Sequence, residues 1–228
     1  MRYAVCLEEM EGRWIAHVLA LPGCFVSDDT REAALALLPP AMQAYVAWRR
    51  ERGDTAVNLN TAAGLDVEEI IREWVHPLIP DYTVNAFFAA DVPPLNRQEI
   101  GEYKQLLEWS YADLLAAAHD LPEDVLSRPV EGEWSIDGIL NHCSRAEWWY
   151  LDRLGLAPAV DKRPANWRER FELAHGQLLG VLPELEGIGR IEVKEGELWS
   201  PRKMARRALW HERDHTQHIF KFRARLGV

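Results

Sequence analysis

Cysteine is scarce in this chain of 228 residues: Cys6, Cys24 and Cys143 are all there is, and no two of them form a CxxC pair. An odd and sparse set excludes a disulfide framework and fits a reducing cytoplasm. Long apolar runs are missing too. Arg, Glu or Asp interrupts every helical stretch before the roughly twenty residues a membrane span requires, so no membrane partner is expected. The opening MRYAVCLEEM puts acids where an export signal needs an apolar stretch. Lysine is absent from residues 1–95, and the net charge of the whole chain is −10. Neutralising phosphates needs clustered Lys and Arg, so a nucleic-acid partner is excluded as well. There is no internal repeat and no low-complexity tract.

What is present is apolar content of 48% against 27% charged residues, enough for an ordinary soluble core. Residues 1–95 hold 7 Arg and 14 Asp plus Glu, net −7, whereas residues 96–228 hold 19 basic and 22 acidic residues, net −3. The periodicity changes at the same place. Arg2–Glu8 and Arg13–Leu19, rich in Val, Ile, Tyr and Trp and separated by Glu9-Met10-Glu11-Gly12, predict a β-hairpin. Cys24–Ser27 supplies a third strand after the break at Leu21-Pro22-Gly23. Asp29 and Glu32 have capping-box spacing at the head of a helix from about Thr30 to Arg52, which Pro39-Pro40 should break or kink. A short helix around Val67–Val75 and a fourth strand at Tyr82–Ala89 follow.

Asp91–Leu95 is the expected linker. Beyond it Ile100, Tyr103, Leu107, Ser110, Leu114, Ala117 and Leu121 recur at spacings of three and four, the seam of a bundle helix. Further helices run from Ser135 to Leu154 before Gly155, and from about Asn166 to Leu182. The last has Ser200 as cap, Pro201 at its first position and Gly227 as its stop after Leu226. The expected fold is therefore α+β: a small αβ domain over residues 1–95 and a four-helix bundle over residues 96–228.

The last helix carries Trp210-His211-Glu212-Arg213-Asp214-His215-Thr216-Gln217-His218. Its inward seam reads Ala208, His211, His215, His218, Phe222 and Leu226, so histidines stand where Leu or Ile would be expected. A buried imidazole loses hydration and needs partners for its nitrogens. Several in register point to a shared one, for which a divalent metal ion is the usual choice. His142, with Ile139, Ala146 and Trp149 on a mostly apolar face of the second bundle helix, is the best third ligand. His17, His76, His119 and His175 have no histidine neighbour at ligand spacing. By spacing alone, metal binding and ordinary core packing remain alternatives. Cys143 points about a hundred degrees away from His142 and is read as core.

Residues 96–228 resemble the DinB-like (DinB/YfiT) superfamily. The resemblance rests on Trp134-Ser135-Ile136, on Ile139-Leu140-Asn141-His142 with Glu147 on the same helix, and on the run from His211 to Ile219. It implies a four-helix bundle with a three-histidine metal site, His142, His211 and His215, and His218 either beside that site or replacing one of its ligands. Residues 1 to about 60 are similar to the HicB-like antitoxin fold, through Tyr3-Ala4-Val5, Trp14-Ile15-Ala16, Leu21-Pro22-Gly23-Cys24 and Asp29–Ala33. No DNA-binding module or nuclease motif accompanies it.

Three imidazoles leave a coordination position open, as catalytic sites do. The DinB-like resemblance therefore implies a divalent ion, Zn or Ni, and a metal-dependent transferase using a low-molecular-weight thiol such as bacillithiol or mycothiol on a small-molecule substrate. The competing reading is a non-catalytic stress-response or binding protein with a structural metal. Glu147, Glu212 and Asp214 are the acids nearest in sequence. Any of the three can accept a ligand histidine's N–H, Glu147 can instead carry protons, and solvation is the favoured role for Glu212. The basic residues of the last helix, Arg202, Lys203, Arg206, Arg207, Arg213, Lys221, Arg223 and Arg225, are expected on a solvated face paired with acids. Arg206 and Arg213 are the two candidates for holding an anion. A homodimer is left open.

Overall fold

The computed structural model describes residues 2–60, 63–79, 82–129, 132 and 134–228. It is α+β, and divides into two compact units, Met1–Ala90 with Glu195–Glu197, and Asp91–Lys194 with Leu198–Val228.

In the first unit, β1 (Arg2–Met10) and β2 (Arg13–Val18) form the expected hairpin, in register from Val5 opposite Val18 to Met10 opposite Arg13. Its turn residues Glu11 and Gly12 have φ of 53° and 73°, the paired left-handed geometry that matches strand twist in a two-residue hairpin. β3 (Phe25–Asp28) pairs with β2, and β4 (Gly64–Ile71) runs parallel to β1, giving the order β3-β2-β1-β4. Helix α1 (Arg31–Glu51) covers one face. Its Ala34, Leu38, Met42, Tyr45 and Val46 pack with Val5, Leu7, Ala16 and Val18. Each large apolar side chain so buried contributes about 1.5–3 kcal/mol.

Four local expectations are corrected here. The α1 cap is Thr30, whose Oγ1 accepts from Ala33 N at 3.2 Å, rather than Asp29. Pro39 and Pro40 lie inside a continuous α1, so of the break or kink expected there the break does not occur. Both are exposed, so the carbonyls they leave without donors can turn to water while the buried side of the helix stays anchored. Residues 64–71 form a strand where a short helix was expected, because pairing with β1 overrides a weak local preference. Tyr82–Ala89 forms no ladder beyond the isolated Val75–Thr83 bridge. Its amides are taken by carboxylates instead: Asn85 N donates to Glu197 Oε1 at 3.1 Å, Ala86 N to Glu8 Oε2 at 3.3 Å and Ala89 N to Glu69 Oε2 at 2.8 Å.

The second unit is built on four long helices. α2 (Arg97–His119) starts with a reciprocal Asn96–Glu99 capping box. A short α3 (Glu123–Leu126) leads to α4 (Ile136–Arg153), capped by Ser135. α5 (Trp167–Val181) is capped by Asn166, and α6 (Pro201–Leu226) by Ser200 at its head and by Gly227, with φ of 73°, at its end. Sequence signals are sharpest at these ends, because caps are local. α4 packs on α5, and α6 on both α2 and α4. Ile136, Ile139, Leu140, Cys143, Phe171, Ile219 and Phe222 fill the core among them. Between α5 and α6 the chain makes a small hairpin absent from the sequence reading, β5 (Glu192–Lys194) and β6 (Glu197–Trp199). Its Glu195-Gly196 turn repeats the left-handed pair of the first hairpin, with φ of 53° and 77°. Among the described residues no helix is long and apolar enough to cross a membrane.

Candidate metal centre

α4 and α6 face each other along apolar seams, and the imidazoles interrupt those seams at one level. His142 Nε2 lies 2.9 Å from His211 Nε2, and His215 Nε2 lies 3.1 Å from that same atom. All three residues offer ligand atoms within 4.8 Å of one another. A neutral imidazole has one N–H and one lone pair, so three Nε2 atoms gathered this closely cannot each find a separate partner within the group. A cation satisfies all three at once, because ligands about 2.0–2.2 Å from an ion sit about 3.0–3.5 Å from each other. His211 is buried and the other two are half-buried, so the group reaches the surface. Burial pushes His142 down to about 4, and the charge of Arg145 adds to the effect. The ring is therefore neutral near pH 7, with its lone pair available to a metal. The exposed Trp134 ring covers His142 at 4.6 Å, and Tyr150 meets His211 edge-on at 5.9 Å. This all-nitrogen set suits a divalent transition-metal ion.

The other predicted residues are placed differently. His218 is half-buried, stacks on His215 at 5.8 Å and meets Phe222 at 4.9 Å, outside the converging set. Arg206 is buried, and its Nε and Nη2 donate to Asp91 Oδ1 and Oδ2 at 2.8 and 2.7 Å. That carboxylate takes the place the sequence reading gave to an incoming anion. Arg213 is half-buried. The basic face of α6 is paired as expected at Arg202–Glu99 and Arg223–Asp120, but it is not solvated along its first half. Lys203 and Arg207 are buried, their charges lying 4.2 Å over Trp199 and 4.0 Å over Trp210. The tryptophan faces substitute for part of the lost hydration.

Glu147 and Glu212 are both buried, which corrects the assignment of Glu212 to solvent. They meet at His175 on α5, whose Nδ1 lies 3.0 Å from Glu147 Oε1 and 3.2 Å from Glu212 Oε1. Ser110 on α2 donates to the other Glu212 oxygen, and Tyr111 stacks on the His175 ring at 4.0 Å. Burial would pull His175 down, but the two carboxylates outweigh it and hold the imidazole up at about 10. Burial pushes Glu212 well above the usual carboxylate range, against the hydrogen bond from His175 and with the repulsion of Glu147. Sequence reasoning missed this cluster. The available signal was His175 standing four residues after Phe171 and three before Leu178, on the buried stripe of α5.

No curated protein matches the chain. The solved structure of YfiT from Bacillus subtilis, described as a probable metal-dependent hydrolase with an unusual four-helix bundle topology, is similar at 19% identity. The likeness covers 58% of this chain and 90% of that one, with a TM-score of 0.47. The profile of the DinB superfamily matches residues 106–219, half the chain and all of the segment that carries the three histidines. The chain belongs to the DinB superfamily.

Proposed function

We propose that His142, His211 and His215 hold a divalent metal ion, zinc or nickel, and that the chain is a metal-dependent enzyme which activates a small nucleophile there. Within that class we take the reaction that the family resemblance implies, transfer to or from a low-molecular-weight thiol. The observation that carries the proposal is the meeting of three Nε2 atoms at 2.9 and 3.1 Å on a half-exposed side of the bundle. When bound, the ion supplies a Lewis acid that lowers the pKa of a coordinated water or thiol. The rest falls to the chain's own residues. Burial keeps His142 unprotonated, α4 and α6 fix the spacing of the imidazoles, and Trp134 walls one side. Arg206 is committed to Asp91, and we assign the orienting of a substrate to Arg213 and His218, both half-buried on α6.

The same reading takes residues 1–95 as a HicB-like αβ domain and residues 96–228 as the DinB-like bundle, in a cytoplasmic protein. The hairpin, the Leu21–Cys24 turn and α1 support the first assignment.

Thiol titration of metal-loaded protein tests the reaction class. A thiol that binds only the folded state raises the thermal midpoint by mass action, about 2.7 kcal/mol at a hundred times its Kd. The midpoint and the metal's absorption spectrum should both move with bacillithiol or mycothiol. If both stay still, the transferase reading fails and a structural ion is favoured.

A further inference from the structure

We infer that Glu147, His175 and Glu212 form a second divalent-cation site in the bundle core, taking an ion of the Mn2+ or Fe2+ kind. Three helices contribute one residue each: α4, α5 and α6. Their ligand atoms lie within 4.8 Å of one another, and the 3.0 and 3.2 Å separations from His175 Nδ1 to the two carboxylates are those of neighbouring ligands around one ion. The residues are 2%, 5% and 1% exposed.

Two arguments favour a cation over a purely hydrogen-bonded cluster. The first is charge. Two carboxylates and a neutral imidazole sum to −2, which a divalent ion cancels. Without an ion the same dry core needs two protons, one on His175 and one on Glu212, to reach neutrality. The second is valence. The buried Glu147 Oε2 has no hydrogen-bond partner, although buried polar atoms ordinarily find one. A cation held by both oxygens of Glu147 uses Oε2, which a proton on His175 Nδ1 does not reach. The donor set also differs from its neighbour: two hard oxygens and one nitrogen here, three nitrogens at His142, His211 and His215. Carboxylate-rich sites select Mn2+ and Fe2+ over the softer preferences of an all-imidazole site.

Metal stoichiometry of the full chain tests this independently of the three-histidine reading. Protein purified without nickel resin is stripped with a chelator and reloaded with Mn2+. Bound ion is then counted by elemental analysis and its environment read by electron paramagnetic resonance. Two ions per chain are expected in the natural protein. Glu147→Gln with His175→Gln should leave one, and His142→Ala with His215→Ala should leave the other. Should the first double variant fail to fold by circular dichroism, Glu147→Gln alone decides, with at least tenfold weaker binding at one site expected. Retention of both ions by the Glu147 variants overturns the proposal. So does a natural protein holding a single ion that only the His142/His215 variant loses, an outcome that leaves the three-histidine site standing.

Discussion

Each unit of this protein buries a histidine against a glutamate, and the two pairs are finished differently. In the first unit His17 Nε2 lies 2.8 Å from Glu8 Oε1, while Glu8 Oε2 accepts from Ala86 N at 3.3 Å. Phe25 and Phe88 pack around the ring. Both carboxylate oxygens have partners, and the pair ties β1 and β2 to the Tyr82–Ala89 segment. In the bundle, His175 stands between two carboxylates, and Glu147 Oε2 has no partner. A closed pair locks a fold, whereas one with a buried carboxylate oxygen unpartnered has a lone pair to offer a cation.

The sharpest way to break this comparison is to remove one acid from each cluster in metal-free protein. Glu8→Ala strands His17 and the Ala86 amide, and should destabilise the first unit by about 3–5 kcal/mol. Glu147→Gln keeps an amide oxygen at the His175 ring and leaves Glu212 facing it, and should cost less, about 1 kcal/mol. Urea unfolding followed by hydrogen exchange in each unit reads the two separately, and equal losses would sink the distinction. Next in size, His211→Ala should weaken binding at the three-histidine site by at least about 100-fold in competition with a fluorescent chelator. His17→Ala, in the unit whose described residues hold no such triad, should leave that affinity unchanged.

Capping gives a smaller contrast. Ser200 Oγ accepts from Lys203 N at 3.1 Å and donates to the Asp91 carbonyl at 2.6 Å, both buried, whereas the Thr30 cap is exposed. Ser200→Ala should therefore cost about 2 kcal/mol and Thr30→Ala about 0.5–1, by thermal unfolding. The mildest effect is one of pH. Burial pushes Asp54 up, but the Arg49 guanidinium outweighs it and holds the carboxyl below its ordinary value. A depressed folded pKa means stability that is present above the unfolded value of about 3.9 and lost as pH falls through the folded one. Asp54→Asn should flatten that acid limb in the first unit alone.

How much of this was legible in the sequence follows from how local each signal is. Ser200-Pro201 and Gly227 bound α6 as read, since caps act within one turn. The spacing of His211 and His215 is likewise a property of one helix, and His142 could be added because its own helix face is apolar. The β4 pairing was hidden, since its partner strand lies about sixty residues away and nothing in Gly64–Ile71 names it. His175 was hidden for the same reason. Its partners sit on α4 and α6, and an acid such as Glu212 looks solvent-bound until a third helix covers it. Arg206 misled in the opposite direction, because the sequence cannot show that Asp91 already occupies its fork.

The central claim is that three imidazoles on α4 and α6 hold a divalent ion. Anomalous scattering from crystals of protein purified without nickel resin tests it most directly. A single peak about 2.0–2.2 Å from the Nε2 atoms of His142, His211 and His215 is the predicted result. Crystals grown with zinc or nickel in excess that show no peak among these three histidines would contradict it.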